Sequence, residues 1–308
     1  MGLSQEDPSQ PNPKQKFSPK KLFSLIKNAR QDSSGVAPLM CPKRNITFSD
    51  TPSKTEILNS QFQSVFTPTS PLRLDQICTE KLDIDYPIMP DIKIDLNGIS
   101  KLLSNLNPSK AAGPDALKPI ILKNLNTTIA PIIQILFQKS LETGQLPSDW
   151  TKANVCPIFK KGSRDNPANY RPISLTCILC KVMEHIIASN ICDHFRNNNI
   201  LYDLQHGFRD GRSCETQLVQ LNNDLAKNLD EGQQTDLILL DFSKAFDKVS
   251  HLKLIHKLHQ HGIQNSTLNW IKSFLIGRSQ AVILDGHSSS KVPVTSRVPG
   301  TNLISLVY

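Results

Sequence analysis

Leu237-Ile238-Leu239-Leu240-Asp241-Phe242-Ser243-Lys244-Ala245-Phe246-Asp247 is the stretch on which the reading of this chain turns. Four large apolar residues in succession suit a strand buried on both faces. An acid directly after such a strand stands at the sheet's edge with its carboxylate aimed outward. A carboxylate there has two ordinary uses. It caps the turn that follows, or it holds a divalent cation, since Mg2+ takes carboxylate oxygens and keeps waters and phosphates as its other ligands. The run by itself leaves both open.

The surroundings read as alternating helices and short strands. Upstream, Ile129, Ile132, Ile133, Leu136, Phe137 and Leu141 recur at helical spacing and stop near Gly144. Residues 153–159 read as a strand running into the turn Lys160-Lys161-Gly162, which alone suggests a solvated hairpin turn. Leu179, Val182, Met183, Ile186 and Ile187 predict a long helix over 177–196, and Leu218, Leu221, Leu225 and Leu229 another. Downstream come helices near 251–260 and 266–276, then a hairpin of 280–284 and 292–296 around Asp285-Gly286, a favoured tight turn. Toward the N-terminus, Ile99, Leu102, Leu103 and Leu106 mark a short helix, and Thr51-Pro52 opens another with Leu58, Phe62, Val65 and Phe66 on its apolar stripe. Residues 67–95 read as irregular and 31–50 as a loop or short strand. Leu22, Leu25, Ile26 and Ala29 predict a helix opened by Pro19, behind a Pro-, Gln- and Ser-rich stretch, 1–18, that reads as disordered or a linker.

The composition is that of a globular chain. In 308 residues 38% are hydrophobic and 20% charged, so a core can form without staples. No apolar run approaches ~18 residues, so no transmembrane helix is expected. The start lacks a signal-peptide core, and Glu6 breaks the myristoylation pattern. Seven scattered Cys suit reduced thiols in an intracellular protein. Cys177 and Cys180 lack the second pair that a structural zinc site needs and read as apolar fillers of a helix. His251, His256, His259 and His261 read as a solvated helix face. The net charge of +8 is uneven: residues 107–214 carry thirteen Lys/Arg against eight acids. A basic middle suits a surface that meets a polyanion, or else ordinary solvated lysines.

Three other strings give the Asp241 block its context. They are Asn107-Pro108-Ser109-Lys110-Ala111-Ala112-Gly113-Pro114-Asp115, Asn169-Tyr170-Arg171-Pro172-Ile173-Ser174-Leu175, and the run from Gln205-His206-Gly207-Phe208-Arg209 through Arg212 to Thr216. In order and spacing the four blocks resemble the reverse transcriptases of non-LTR (LINE-like) retrotransposons of the Jockey/CR1/RTE type, from Lys20 to Pro299. The resemblance implies an α+β fold, the polymerase right hand. Residues 1–18 would be a disordered N-terminus, 19–106 a mostly helical connector, 107–232 the fingers and 233–308 the first part of the palm.

It also implies roles. Asp241 would be the first catalytic aspartate, binding two Mg2+ (or Mn2+) ions with the Phe242 carbonyl as a further ligand. Ala245 and Phe246 would line the nucleotide site, Phe246 as the gate against a ribose 2′-OH. Lys160 or Lys161, and Arg171, would hold the triphosphate of the incoming dNTP, Arg by bidentate contacts and Lys as a point charge. Arg209 and Arg212 would track a template backbone, or else serve as ordinary surface charge. The implied partners are an RNA template, a DNA primer and dNTP, in cytoplasm or nucleus and without a membrane.

The chain also departs from the pattern. Where the family has Ser-Gly-Val-Pro-Gln-Gly, this chain reads Ser296-Arg297-Val298-Pro299-Gly300. Arg297 stands in a backbone position suited to Gly, which predicts strain. The family's Tyr/Phe-x-Asp-Asp hairpin does not occur before Tyr308. Two-metal chemistry needs several carboxylates around ions ~3.5–4 Å apart. The expectation is therefore a fragment truncated before the second catalytic motif and inactive alone. A non-catalytic nucleic-acid-binding remnant and an unstable relic are the alternatives.

Overall fold

A computed structural model describes residues 35–42, 44–67 and 85–298. The disordered segment and helix expected before residue 31, most of the irregular stretch 67–95, and everything from Pro299 on lie outside the described residues. The chain divides into two units, Met1–Val36 and Ala37–Tyr308, and every element below belongs to the second.

A small hairpin of β1 (Leu39–Cys41) and β2 (Ile46–Phe48) leads into α1 (Thr51–Gln63). Asp50 caps α1 by accepting from the Ser53 N–H, and Pro52 sits in its first turn, where a missing N–H costs nothing. After α2 (Leu96–Ser104) and α3 (Pro119–Asn124) comes α4 (Asn126–Thr143), which ends on Gly144 at φ +65°, the left-handed cap that Gly adopts readily. A single 3-10 turn, Ser148–Thr151, feeds β3 (Lys152–Phe159); β4 (Tyr170–Leu175), α5 (Ile178–Asn197) and α6 (Cys214–Asp230) follow. Then come α7 (His251–Gln260), α8 (Asn265–Leu275), β5 (Ser279–Leu284), β6 (His287–Ser288) and β7 (Val292–Pro293).

The sheet runs in the order β4-β3-β5-β6, with β7 also on β5. β3 is its centre, antiparallel to β4 and parallel to β5. Asp285 and Gly286 both have positive φ, 48° and 80°, as a primed two-residue turn requires. The turn returns the chain as β6, with Leu284 opposite His287, rather than directly as 292–296. The core lies between α4, α5, α7 and α8, around Phe137, Trp150, Ile187, Ile191, Trp270 and Phe274. No helix among the described residues is long and apolar enough to cross a membrane.

Two expectations are corrected. Residues 237–240 form no strand: the backbone joins no ladder among the described residues, and Leu240 is 89% exposed. An apolar run becomes a buried strand only where neighbouring strands take its N–H and C=O groups and other layers cover its faces, and no described residues do either. The helix before it, α6, likewise buries none of its side chains. The second correction is the histidine face. His251 is buried and its Nε2 lies 2.8 Å from the Arg297 carbonyl, because α7 turns its Leu254, Ile255 and Leu258 stripe to the core and carries His251 in with it.

Candidate nucleotide and nucleic-acid site

The β3–β4 hairpin positions the predicted phosphate-binding cations. Phe159 pairs with Tyr170 as its last rung, and the Lys160 N–H donates to the Asn169 carbonyl at 2.9 Å. Lys160 and Lys161 therefore stand at the tip. The turn needs Gly162: its φ is +89°, and a Cβ there would meet the Asn169 amide at 2.7 Å. Strand alternation sends Tyr170 inward, where its hydroxyl donates to the Arg164 carbonyl at 2.7 Å, and Arg171 outward beside exposed Ile173. Arg171 pairs across the ladder with Ile158, also exposed. Lys160, Lys161 and Arg171 are exposed and form no ion pair among the described residues, so one edge of the sheet carries three uncompensated cations beside apolar surface.

The Asp241 block is held at its far end. Asp241, Phe242 and Lys244 are exposed, and the Asp241 carboxylate has no hydrogen bond or ion pair among the described residues. A turn forms at Lys244, φ +55°, whose carbonyl accepts from the N–H groups of Asp247 and Lys248. The Asp247 carbonyl accepts from the Ser296 hydroxyl at 2.7 Å, and the Lys248 carbonyl from the Thr67 hydroxyl at 3.1 Å. Arg297 supplies the charged link: its Nε is 3.5 Å from an Asp247 carboxylate oxygen, and its Nη2 donates to the Pro172 carbonyl at 3.1 Å. Its φ is +79°, the conformation the sequence predicted would strain a side-chain-bearing residue. The side chains of Ala245 and Phe246 belong to this same turn.

The other two blocks meet these. The Gln205–Thr216 run is anchored by His206, buried, with Nδ1 2.7 Å from the Thr216 hydroxyl and Nε2 2.9 Å from the Gln220 side-chain oxygen. Phe208, held at φ +59°, sets its ring edge-on to Phe246 with centroids 6.1 Å apart. Arg209 is occupied by the protein, donating to the Tyr202 carbonyl at 2.8 Å with Asp203 at 3.8 Å. Arg212 forms no ion pair among the described residues. The 107–118 loop docks where β4 passes into α5. A Cβ on Gly113 would lie 2.6 Å from backbone atoms of Thr176 and Cys177, and the Cys177 thiol donates to the Asp115 carboxylate at 2.7 Å.

Burial, and then the hydrogen bond to Asp115, pushes the Cys177 thiol up to about 12. Burial raises the Cys180 thiol as well. Both side chains fill the start of α5, as read from the sequence. Iodoacetamide at pH 8 is therefore expected to label exposed Cys214 well ahead of either, which peptide mass spectrometry reads directly.

Divalent ions fit this place only in part. Asp241 offers an unengaged carboxylate, but Asp247 is tied to Arg297. No group of three His, Cys, Asp or Glu side chains placed to hold an ion stands among the described residues. These residues do not make up a two-ion site. The inward-facing partners escaped sequence reading. Nothing in the pattern marks His206 as buried, or Arg297 as the partner of Asp247.

Residues 158–300 match the family described as reverse transcriptase (RNA-dependent DNA polymerase). The chain is 28% identical over 250 residues to the RNA-directed DNA polymerase from mobile element jockey of Drosophila melanogaster, covering 80% of this chain and 27% of that protein. It is 27% identical over 244 residues to the probable RNA-directed DNA polymerase from transposon BS of the same organism, covering 77% and 26%. With the probable polymerase from transposon X-element, also of Drosophila melanogaster, it shares 29% over 236 residues, covering 76% and 25%. The chain thus spans about a quarter of the length of these relatives. Over residues 158–300 the chain thus matches the reverse transcriptase family, and the relatives it resembles along most of its length are RNA-directed DNA polymerases of mobile elements.

Proposed function

We propose that residues 107–232 are the fingers and the described residues from 233 on the first part of the palm of an RNA-directed DNA polymerase, with the described residues before 107 a connector, and that this segment binds template RNA and dNTP without completing the metal site. One observation carries the reading: the four sequence blocks, up to 140 residues apart, converge on one another. The 107–115 block seats on the end of β4, Arg297 joins β4 to Asp247, and Phe208 meets Phe246. Scattered motifs gather this way when they serve one site. On this reading Arg171 with Lys160 or Lys161 holds triphosphate oxygens, Asp241 is one carboxylate of the ion site, and Phe246 rejects the ribose 2′-OH. Arg212 remains available to template phosphates, with Arg209 largely occupied. Chemistry needs carboxylates beyond the described residues, so nucleic-acid binding without primer extension is the expected behaviour of this chain.

The test is the affinity for single-stranded RNA, by fluorescence anisotropy, across a salt series. Log K should fall linearly with log salt, by roughly 0.7 for each phosphate neutralised on a single strand. Arg212→Ala should reduce that slope by about 0.7, evenly across RNA sequences, while Arg171→Ala and Lys161→Ala should weaken dTTP binding. A slope unchanged in Arg212→Ala removes that residue from the RNA surface, and dTTP affinity unchanged in both hairpin variants removes the hairpin from the nucleotide site. Mg2+-dependent primer extension by the purified chain, lost in Asp241→Asn, would overturn the incomplete-site part of the reading.

A further inference from the structure

Arg297 holds an unfavourable backbone conformation, and all but one of its polar groups find partners around it. Its N–H donates to the Val249 carbonyl at 3.3 Å, and its own carbonyl lies 2.8 Å from His251 Nε2. Its guanidinium reaches Pro172 in β4 and Asp247 at the end of the Asp241 block. The residue is mostly buried, the side chain 17% exposed against 30% for Asp247, so solvent screens the pair only in part. Nη1 is buried without a hydrogen-bond partner, a further penalty accepted at this place. A residue in a strained conformation persists where its surroundings over-determine it, and such residues gather at functional sites. Three segments meet at this one: β4, the start of α7, and the segment 247–249.

We infer that Arg297 is a positioning residue: it clamps the Asp241–Lys248 segment to β4, and so fixes Phe246 and Asp241 relative to Arg171. Residues 237–242 join no ladder among the described residues, and the end of the segment is held by hydrogen bonds from Ser296 to the Asp247 carbonyl and from Thr67 to the Lys248 carbonyl. Between those residues and β4, the charged bridge is Arg297. The functional meaning of the clamp rests on the polymerase reading above, but its existence does not.

The experiment is site-resolved amide hydrogen exchange on the full chain, comparing wild type with Arg297→Ala, Arg297→Lys, Asp247→Asn and the double variant Arg297→Ala/Asp247→Asn. In Arg297→Ala the amides of Asp247 and Lys248, both hydrogen-bonded to the Lys244 carbonyl, should exchange about tenfold faster, as loss of a charge-assisted bond implies. Asp247→Asn should do the same, and the double variant should be no faster than either single one. Arg297→Lys, which keeps a cation beside Asp247, should recover part of the protection. Amides of α4 and α5 report that the fold is intact throughout. Unchanged exchange in Arg297→Ala, or additive effects in the double variant, overturns the clamp. Titration with dTTP separates the two readings. If wild type binds dTTP and Arg297→Ala binds it several-fold more weakly, the clamp serves the site. If the affinities are equal while exchange differs, the positioning role is overturned. If wild type binds no dTTP, the polymerase reading fails and the exchange data alone decide the clamp.

Discussion

Gly113→Ala is expected to destabilise the chain by about 3 kcal/mol, at the upper end of what one inserted methyl does to a packed interior. The size follows from what the methyl meets. Its three nearest atoms, all at 2.6 Å, are the Cys177 nitrogen and the Thr176 carbonyl carbon and oxygen, which are backbone and cannot swing aside as a side chain would. Either the 107–118 loop lifts or the junction of β4 and α5 shifts. Lifting the loop parts Asp115 from the Cys177 thiol, so alkylation of Cys177 should accelerate together with the fall in stability. Gly207→Ala is the matched control: nothing lies within 4 Å of its added carbon and its φ is not positive, so its urea midpoint should stay near wild type. A Gly113→Ala midpoint equal to that of the control would show that the loop does not dock as described.

The contrast between these glycines shows what a pattern in sequence carries and what it leaves out. Local rules were legible. The helix through Ile129 to Leu141, the Gly144 cap, and the positive φ at Asp285-Gly286 all follow from chemistry within a few residues, although Ile132 and Leu136 of the expected apolar stripe lie exposed. Gly113 drew notice as part of a motif, but the reason for it lies more than sixty residues away, in the backbone of Thr176 and Cys177. His206 reads as one polar residue among many, yet it is buried because Thr216 and Gln220 satisfy both of its ring nitrogens. Arg297 reads as a lost glycine; its partners Pro172, Asp247 and His251 come from three separate stretches of chain. The candidate site was legible as a set of blocks because each carries a distinctive string. The links between blocks were not, because hydrogen-bond partners distant in sequence leave no local period. Leu237 to Leu240 failed for the complementary reason: burial of an apolar run is a property of its neighbours, which its own four side chains cannot supply.

Trp270→Ala should cost about 3–5 kcal/mol, a large share of a domain's usual 5–15. Trp270 is fully buried, stacks on Phe274 at 5.1 Å, and donates its indole N–H to the Ser140 hydroxyl at 3.1 Å, so one side chain joins α8 to α4. Its removal leaves a cavity between two helices and takes away the Ser140 hydroxyl's donor. Leu239→Ala removes a comparable kind of surface at a place that is 82% exposed, and should change stability by less than about 0.5 kcal/mol. Hydrophobicity is therefore not the variable; packing is. Chemical denaturation of the two variants beside wild type measures both, provided the slopes with denaturant agree. A loss of 2 kcal/mol or more at Leu239 would mean that the segment before Asp241 finds cover in solution, as the sequence had suggested. A loss near zero would leave that apolar segment open on the folded chain, and Leu239→Lys should then lower self-association at high concentration without altering the melt, since a charge within an exposed apolar run obstructs its association with a second copy.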